Sequence, residues 1–439
     1  MRKKVLPLSG ILALRFLGLF IVLPVLSAYA MTLNGATHLL VGIIVGGYAL
    51  TQALFQLPFG LMSDKIGRKP TLLIGLLIFL AGSVIAAEST DIYMLMFGRF
   101  LQGAGAIGSV IVAMISDLVE EEVRGKAMAM MGGSIALSFA AAMVIGPVVG
   151  GHFGVNTLFW IAAALAVLAM LMLFTKVPNP PKIRHVYHQT SKTSDILKDQ
   201  NLLSMLVIDG MQKGLMTMAF VIIPIVLTSP AFGWEKADLW KAYVPAMIFG
   251  LLVMGPAAIF GEKYNKPKQV FIISIVLFIV AFLLMGLTTN SIVFVIGVVS
   301  FFLAFNMMEP LVQSMISKFA KVHQKGAALG IANTVAYFMT FIGGTSAGIL
   351  LDFSSREVLG VSTAAVAAVW LLWTLLKLQN PTKHSHLYLP EEHVDMEKLT
   401  GLEHEHIAEW YINESEKLVV VKYVSEQLKE EEIKAKILK

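Results

Sequence analysis

The sequence predicts an all-α membrane protein of twelve spanning helices, arranged as two halves of six, with a small α+β domain after them. Three observations carry this. Hydrophobic residues make up 56% of the chain and charged residues 14%, against the usual quarter in soluble proteins; mean hydropathy is +0.75. Apolar runs of bilayer length recur about twelve times. The loops between these runs alternate between basic and free of Lys and Arg.

The runs fall near 9–31, 39–62, 71–90, 93–116, 126–150, 157–177, 202–228, 241–261, 268–288, 291–316, 326–350 and 357–378, each near the 20 or so residues a span requires. The first follows Arg2-Lys3-Lys4 and ends Ala28-Tyr29-Ala30, so it could pass for a cleaved leader. Its length, the interruption at Arg15 and the spans that follow favour a retained helix. Lys65, Arg68 and Lys69, then Arg124 and Lys126, then Lys182 to Lys198, Lys263 to Lys268 and Lys318 to Lys325 mark one side. Segments 32–38, 87–92, 151–156 and 288–291 on the other side hold no Lys or Arg, and only Lys236, Lys241 and Arg356 break the pattern. The positive-inside rule then places both termini in the cytoplasm.

Pro178, Pro180 and Pro181 end the sixth run, because proline cannot continue a helix. The expected organisation is a first bundle over 1–178, a polar linker over 179–201, a second bundle over 202–380 and a soluble domain over 385–439. Pro58-x5-Asp64-Lys65 in the second run is echoed by Pro256-x5-Glu262-Lys263 in the eighth, a faint repeat of the kind found in transporters built from paired bundles.

Composition excludes several classes. No cysteine is present, which removes disulfides, thiolate metal sites and cysteine nucleophiles. Residues 382–439 carry 8 Lys against 13 acidic residues, so the net charge of +5 conceals a body of +10 and a tail of −5. A basic membrane body points to lipid headgroups and not to nucleic acid. No nucleotide-binding loop occurs, which disfavours ATP-driven pumping, and neither enzyme activity nor a cofactor is expected.

Gly60-Leu-Met-Ser-Asp64-Lys65-Ile-Gly67-Arg68-Lys69 forms a charged hinge between two spans. Gly60 and Gly67 suit a tight turn and close helix approach, and the four charged residues are too costly to carry through hydrocarbon. The segment resembles the loop-two signature of the major facilitator superfamily of transporters. Leu95-x3-Arg99-x2-Gln102-Gly103-x-Gly105 in the fourth run is similar to that family's fourth-helix signature, with Ile107 where a small residue is commoner. Gly133-x8-Ala142-x3-Gly146-Pro147-x2-Gly150-Gly151 in the fifth is similar to its antiporter signature, with Ala142 for a glycine.

The resemblance implies roles. Arg99 would tune a nearby carboxylic acid; the alternative is a structural pair or bonds to carbonyls. The fifth helix would be a pliable gate used in exchange; the alternative is glycine-rich packing. Arg68 would pair with Asp117, near Arg124, and Asp64 would sit by the N-terminus of the eleventh helix around Gly326, where helix polarity attracts an anion. Together these contacts would clamp the cytoplasmic ends of the halves while the cavity faces outward. The alternative is a solvated surface cluster whose pairs are each worth under about 1 kcal/mol.

Further charges lie inside spans. Asp209 and Lys213 are spaced to neutralise each other along the seventh helix. Glu309 shares a face of the tenth with Asn306 and Gln313, and Arg15 is similarly placed on the first. Each costs about 2.5–3.5 kcal/mol to insert. These residues form a candidate proton or substrate site, since a desolvated carboxyl holds its proton more tightly; a structural polar core is the alternative. Tyr48, Gln52 and Gln56, with Asn333 and Tyr337, follow helical spacing and could line a cavity or bind helices together. The many Met and Phe residues are expected to face lipid or pack.

The tail reads as a strand near 387–389, a helical run over 391–399, strands over 407–412 and 418–424, and a charged helix over 427–436. That β-α-β-β-α order matches a ferredoxin-like domain with its last strand reduced to 437–439. Histidines 384, 386, 393, 404 and 406 lack a tight ligand spacing, so no metal is expected; docking or regulation is the expected role. Arg15-Phe-Leu-Gly, Phe301-Phe-x-Ala-Phe-Asn306-Met-Met-Glu309 and this tail resemble one subgroup of proton-driven drug antiporter homologues. That likeness implies a monomeric transporter of the bacterial inner membrane that takes up protons to expel a small solute. A uniporter without proton coupling, and a membrane sensor that signals through its tail, are the alternatives.

Overall fold

The computed structural model describes residues 2–119, 121–178, 193–320, 324–380, 384–395, 398–399, 407–413, 418–424, 428 and 430–438. Helices α1 (Arg2–Phe20) and α2 (Leu23–Ala30) make the first span. Then come α3 (His38–Ile66), α4 (Arg68–Ala87), α5 (Ile92–Ala104) with α6 (Gly108–Leu118), α7 (Glu121–Phe153) and α8 (Val155–Thr175). The second half comes after the short α9 (Thr193–Lys198). It comprises α10 (Gln200–Leu227), α11 (Trp240–Glu262), α12 (Pro267–Leu287), α13 (Ser291–Phe319), α14 (Lys325–Phe353) and α15 (Arg356–Lys377). Among the described residues twelve spans are long and apolar enough to cross a membrane. The linker expected over 179–201 lies outside the described residues at 179–192.

Helices are what lipid permits, since each backbone donor and acceptor must be met within the segment. The starts of α3, α5, α10, α13 and α15 are fixed by short polar side chains. Asp91 accepts from the Tyr93 and Met94 amides at 2.9 Å, Asp199 from Asn201 and Leu202 at 2.9 Å, and Thr37 from Leu40 at 3.2 Å. Each such cap is worth about 1 kcal/mol. The hinge is tighter than its sequence suggests. Gly60 through Ile66 stay helical, and the whole turn is made at Gly67, whose φ of 102° strains any side chain. Gly60 sits in the body of α3 and makes no close approach there; Ser109 Oγ is 3.9 Å from where its Cβ would be.

Within the first half, glycines let α3, α4 and α5 touch backbone to backbone. A Cβ at Gly103 would collide with the Tyr48 carbonyl, and one at Gly105 with the Gly75 carbonyl. A backbone atom cannot yield as a flexible side chain can. Gly103→Leu is therefore expected to prevent the first half from assembling. Little or no monodisperse protein should be recovered by size-exclusion chromatography in mild detergent; wild-type yield and melting temperature would refute this.

The halves meet at one end and part at the other. Away from the basic loops, Gly42 and Gly46 of α3 lie directly on Gly344 and Phe341 of α14, and Gly348 lies on His38. There too Ser27 donates to the Phe220 carbonyl at 3.0 Å, Gly151 of α7 abuts Ala237, and Asp352 of α14 bonds to the start of α3. Among the described residues, the ion pair that joins the halves, His38–Asp352, lies at this end, while Tyr337 of α14 bonds to Gln52 of α3 nearer mid-span. Toward the basic loops the facing surfaces are open. Nothing comes within 4 Å of a Cβ built at Gly132, Gly133, Gly255, Gly326 or Gly330.

The tail holds β1 (His384–Pro390), β2 (Ile407–Asn413), β3 (Leu418–Val424) and α16 (Glu430–Ile437). The sheet order is β1-β3-β2, with both pairings antiparallel. Leu387, Leu389, Val419 and Val421 bury one face beneath Ile433 and Ile437. A single antiparallel bridge joins Val394 to Leu438. Where a helix is expected over 391–399, the described residues show a 3-10 turn at Glu391–His393 and helical Lys398 and Leu399.

Candidate functional site

At the basic end, Arg68 opens α4 directly after the Gly67 turn. Its Nε donates to Asp117 Oδ2 at 3.0 Å, and its Nη1 to Asp64 Oδ1 at 2.6 Å and Ser63 Oγ at 2.5 Å. The expected Arg68–Asp117 pair is present. Asp64, expected beside the N-terminus of the eleventh helix, turns instead onto Arg68 of its own half, and no described atom lies within 4 Å of a Cβ built at Gly326. The halves are apart at this end, so the acid takes the nearest cation. Lys65 and Lys69 belong to the same turn, and the Arg124 side chain lies outside the described residues.

Two arginines are fully buried in the first half. Arg99 donates to Gln102 Oε1 at 2.8 Å and to the Ile44 carbonyl at 3.4 Å, with its guanidinium 4.8 Å from the Tyr48 ring centre. Gln102 in turn donates to Ser83 at 2.9 Å. The acid expected beside Arg99 is not among its described partners; an aromatic face and carbonyl oxygens hold the charge instead. Arg15 donates to Gln52 Oε1 at 3.2 Å and lies 5.7 Å from the rings of Phe16 and Phe79. Its Nε and Nη1 have no hydrogen-bond partner among the described residues.

In the second half the sequence expectation changes partners. Lys213 does not turn back to Asp209. Its Nζ donates to Glu309 Oε2 at 2.6 Å and lies 4.9 Å from the Phe305 ring centre. Gln212 donates to the same carboxylate oxygen at 3.0 Å and to the Phe305 carbonyl at 3.0 Å. Asp209 is 1% exposed, with Gln313 Nε2 3.5 Å from one oxygen and, among the described residues, no partner for the other. Glu309 and Gln313 thus join the site. Asn306 does not, because it donates to Phe302 one turn back at 2.9 Å and packs on Gly250. Tyr337 of α14 packs on the first-half core.

The Lys213–Glu309 side chains are 21% and 36% exposed, so water softens their attraction. Lys213→Met is expected to cost about 1–3 kcal/mol, because it strands Glu309 beside Phe305. Lys213→Met with Glu309→Gln should recover part of that loss in a thermal melt. A double variant no more stable than the single one would refute the pairing.

Sequence reasoning missed the aromatic layer behind this site. Phe139 of α7 meets Phe20 at 5.3 Å, Phe305 at 5.7 Å and Phe220 at 6.1 Å between ring centres, and so spans both halves. Of these four among 26 phenylalanines, only Phe305 falls in a motif; nothing marks Phe20, Phe139 or Phe220. Sequence reasoning also missed Asp352, although an isolated acid at the charge-poor end of a span is a visible signal. The antiporter-signature residues act as contact points. Gly146 lies against the Ile21 carbonyl at the break between α1 and α2, Gly150 against Val25 and Leu158, and Gly151 against Ala237, while α7 runs on through Pro147.

The fold and its buried charges define a multi-pass membrane transporter, and not an enzyme. The model of the Major Facilitator Superfamily matches residues 8–344 and 246–420, and the chain belongs to that family. It is 38% identical over 374 residues to the inner membrane transport protein YajR of Escherichia coli, covering 83% of this chain and 81% of YajR. It is 29% identical over 364 residues to the class E tetracycline resistance protein of Escherichia coli, covering 77% and 86%. Among solved structures it resembles a bacterial homologue of the human lysosomal transporter Spinster in an inward-facing, occupied conformation. There the TM-score is 0.69 at 14% identity, over 85% of this chain and 96% of that one.

Proposed function

We propose that this protein is a proton-coupled secondary transporter that expels a small, drug-like solute by alternating access. The observation that carries the reading is the placement of Asp209, Lys213 and Glu309 between an open end and a sealed one. A bare buried carboxylate is costly, and a proton or a cationic solute removes that cost. Asp209 is the proton carrier, and Glu309 with Lys213 is the pair that solute and proton contest. Resistance proteins among the relatives support export of a small molecule.

The basic end is the cytoplasmic end, by the charge bias of its loops, and the chain sits as a monomer in the bacterial inner membrane. A molecule open at its basic end is then inward-facing. When the bundles of residues 1–178 and 202–380 rock about the linker, Asp64 moves from Arg68 toward the start of α14. There it completes the clamp of Lys65, Arg68, Lys69, Asp117 and Arg124. The tail is a ferredoxin-like module for docking or regulation. Its strand order and the Val394–Leu438 bridge, in place of a fourth strand, support that assignment.

The test is reconstitution in vesicles that enclose a pH dye. Protons should move only when a transported solute, such as a lipophilic cationic dye, is supplied, and in the opposite direction. Solute flux without proton flux would replace this reading with a uniporter. Binding with neither flux would replace it with a sensor.

A further inference from the structure

The antiparallel helices α3 and α14, one from each half, carry matching acids. Asp64 lies in the last turn of α3, and Asp352 lies in the last turn of α14. Only one of them reaches across in this structure. Asp352 Oδ1 accepts from the His38 amide at 3.0 Å and from His38 Nδ1 at 2.8 Å, and Oδ2 accepts from the Leu39 amide at 2.8 Å. Both carboxylate oxygens are thus spent on the first turn of α3. A helix start has unmet amide donors and partial positive charge, so this carboxylate satisfies donors that α3 cannot satisfy itself. Directly inward, Gly348 lies on His38, and Gly344 lies on Gly42. The cap therefore sits on a seam where the two backbones touch.

We infer that Asp352 is a second latch, which holds the halves together at the end away from the basic loops by capping the start of α3. It is the counterpart, turned end for end, of Asp64 at the start of α14. The two acids cannot both cap, because the halves are closed at only one end at a time. Asp352 is engaged here while Asp64 rests on Arg68, and no described atom comes within 4 Å of a Cβ built at Gly326. Alternation of the two caps gives each closed end a similar hold, so neither state traps the protein. This inference rests on the proposal of alternating access.

The absence of cysteine makes introduced pairs unique labelling sites. Spin labels at Thr90→Cys and Thr289→Cys report the distance between the halves at the Asp352 end. Labels at Lys176→Cys and Lys263→Cys report the basic end. Asp352→Asn keeps the size of the side chain and removes its charge. It should shift the equilibrium at the Asp352 end toward the separated state by about tenfold, with the basic-end distance shortening in step. His38→Gln keeps the backbone donors and should shift it less, in the same direction. A purified, monodisperse Asp352→Asn variant with wild-type distances at both ends, in a protein whose distances otherwise respond to solute, would overturn the latch alone. Distances that never change in any variant or condition would overturn alternating access and the latch with it. Should Asp352→Asn not fold, an unshifted His38→Gln, in a protein whose distances do respond to solute, would still overturn the latch.

Discussion

Leucine at position 344 should stop transport and leave the protein open at the end where it is now sealed. The reason is steric. A Cβ on Gly344 would run into the Gly42 carbonyl, and Thr217 and the Gly46 amide lie just beyond. Overpacking of this kind costs about 1–3 kcal/mol even where side chains can adjust, and here the obstacle is backbone. That cost falls only on the state in which α3 and α14 touch, so the population moves about fivefold to a hundredfold toward the other state. Solute flux should fall accordingly, and a cysteine introduced into the cavity of this cysteine-free chain should become reactive toward a reagent applied from the sealed side. Gly330 faces open space in this state, so Gly330→Leu should be tolerated here and obstruct closure at the basic end. A Gly344→Leu variant that transports at the wild-type rate would show that the glycine seam is not the gate.

The second large effect is expected at Asp209. In Asp209→Asn the side chain keeps its shape and its approach to Gln313, but it can no longer exchange a proton. Solute-driven proton movement should drop to the background of empty vesicles, while solute binding, followed by dye fluorescence, persists. Glu309→Gln should behave differently. It removes the partner of Lys213 and is expected to weaken solute binding as well as flux. Equal proton flux in wild type and Asp209→Asn would remove Asp209 from the mechanism and leave Glu309 as the carrier.

The spans were legible because hydrocarbon accepts few alternatives to an apolar helix, and the observed ends lie within about five residues of the expected ones. The Arg68–Asp117 contact was expected from the resemblance to the family's loop-two signature, and both charges do sit at span ends on the same side. Inside the second half, spacing misled. Asp209 and Lys213 have the separation of an intrahelical pair, but Glu309 on a neighbouring helix offers Lys213 a shorter and more exposed contact. Choice of partner is decided by tertiary distance, which one helix cannot reveal. The neighbour of Arg99 was misread for the same reason, since the face of Tyr48 gives no charge pattern. Which end of the molecule is open was not legible at all. One sequence must serve both states, so neither the motif around Asp64 nor the isolated Asp352 tells which of them is engaged across the halves.

The aromatic layer of Phe139, Phe220 and Phe305 also determines where voltage acts. In the proposed inward-facing state water would reach Glu309, whose side chain is 36% exposed, and most of a membrane potential would drop across the thin dry stretch beyond these rings. A charge that crosses it gains about 2.3 kcal/mol per 100 mV. The electrical work of each cycle would then be done over a few ångströms of phenylalanine rather than over the full thickness of the bilayer.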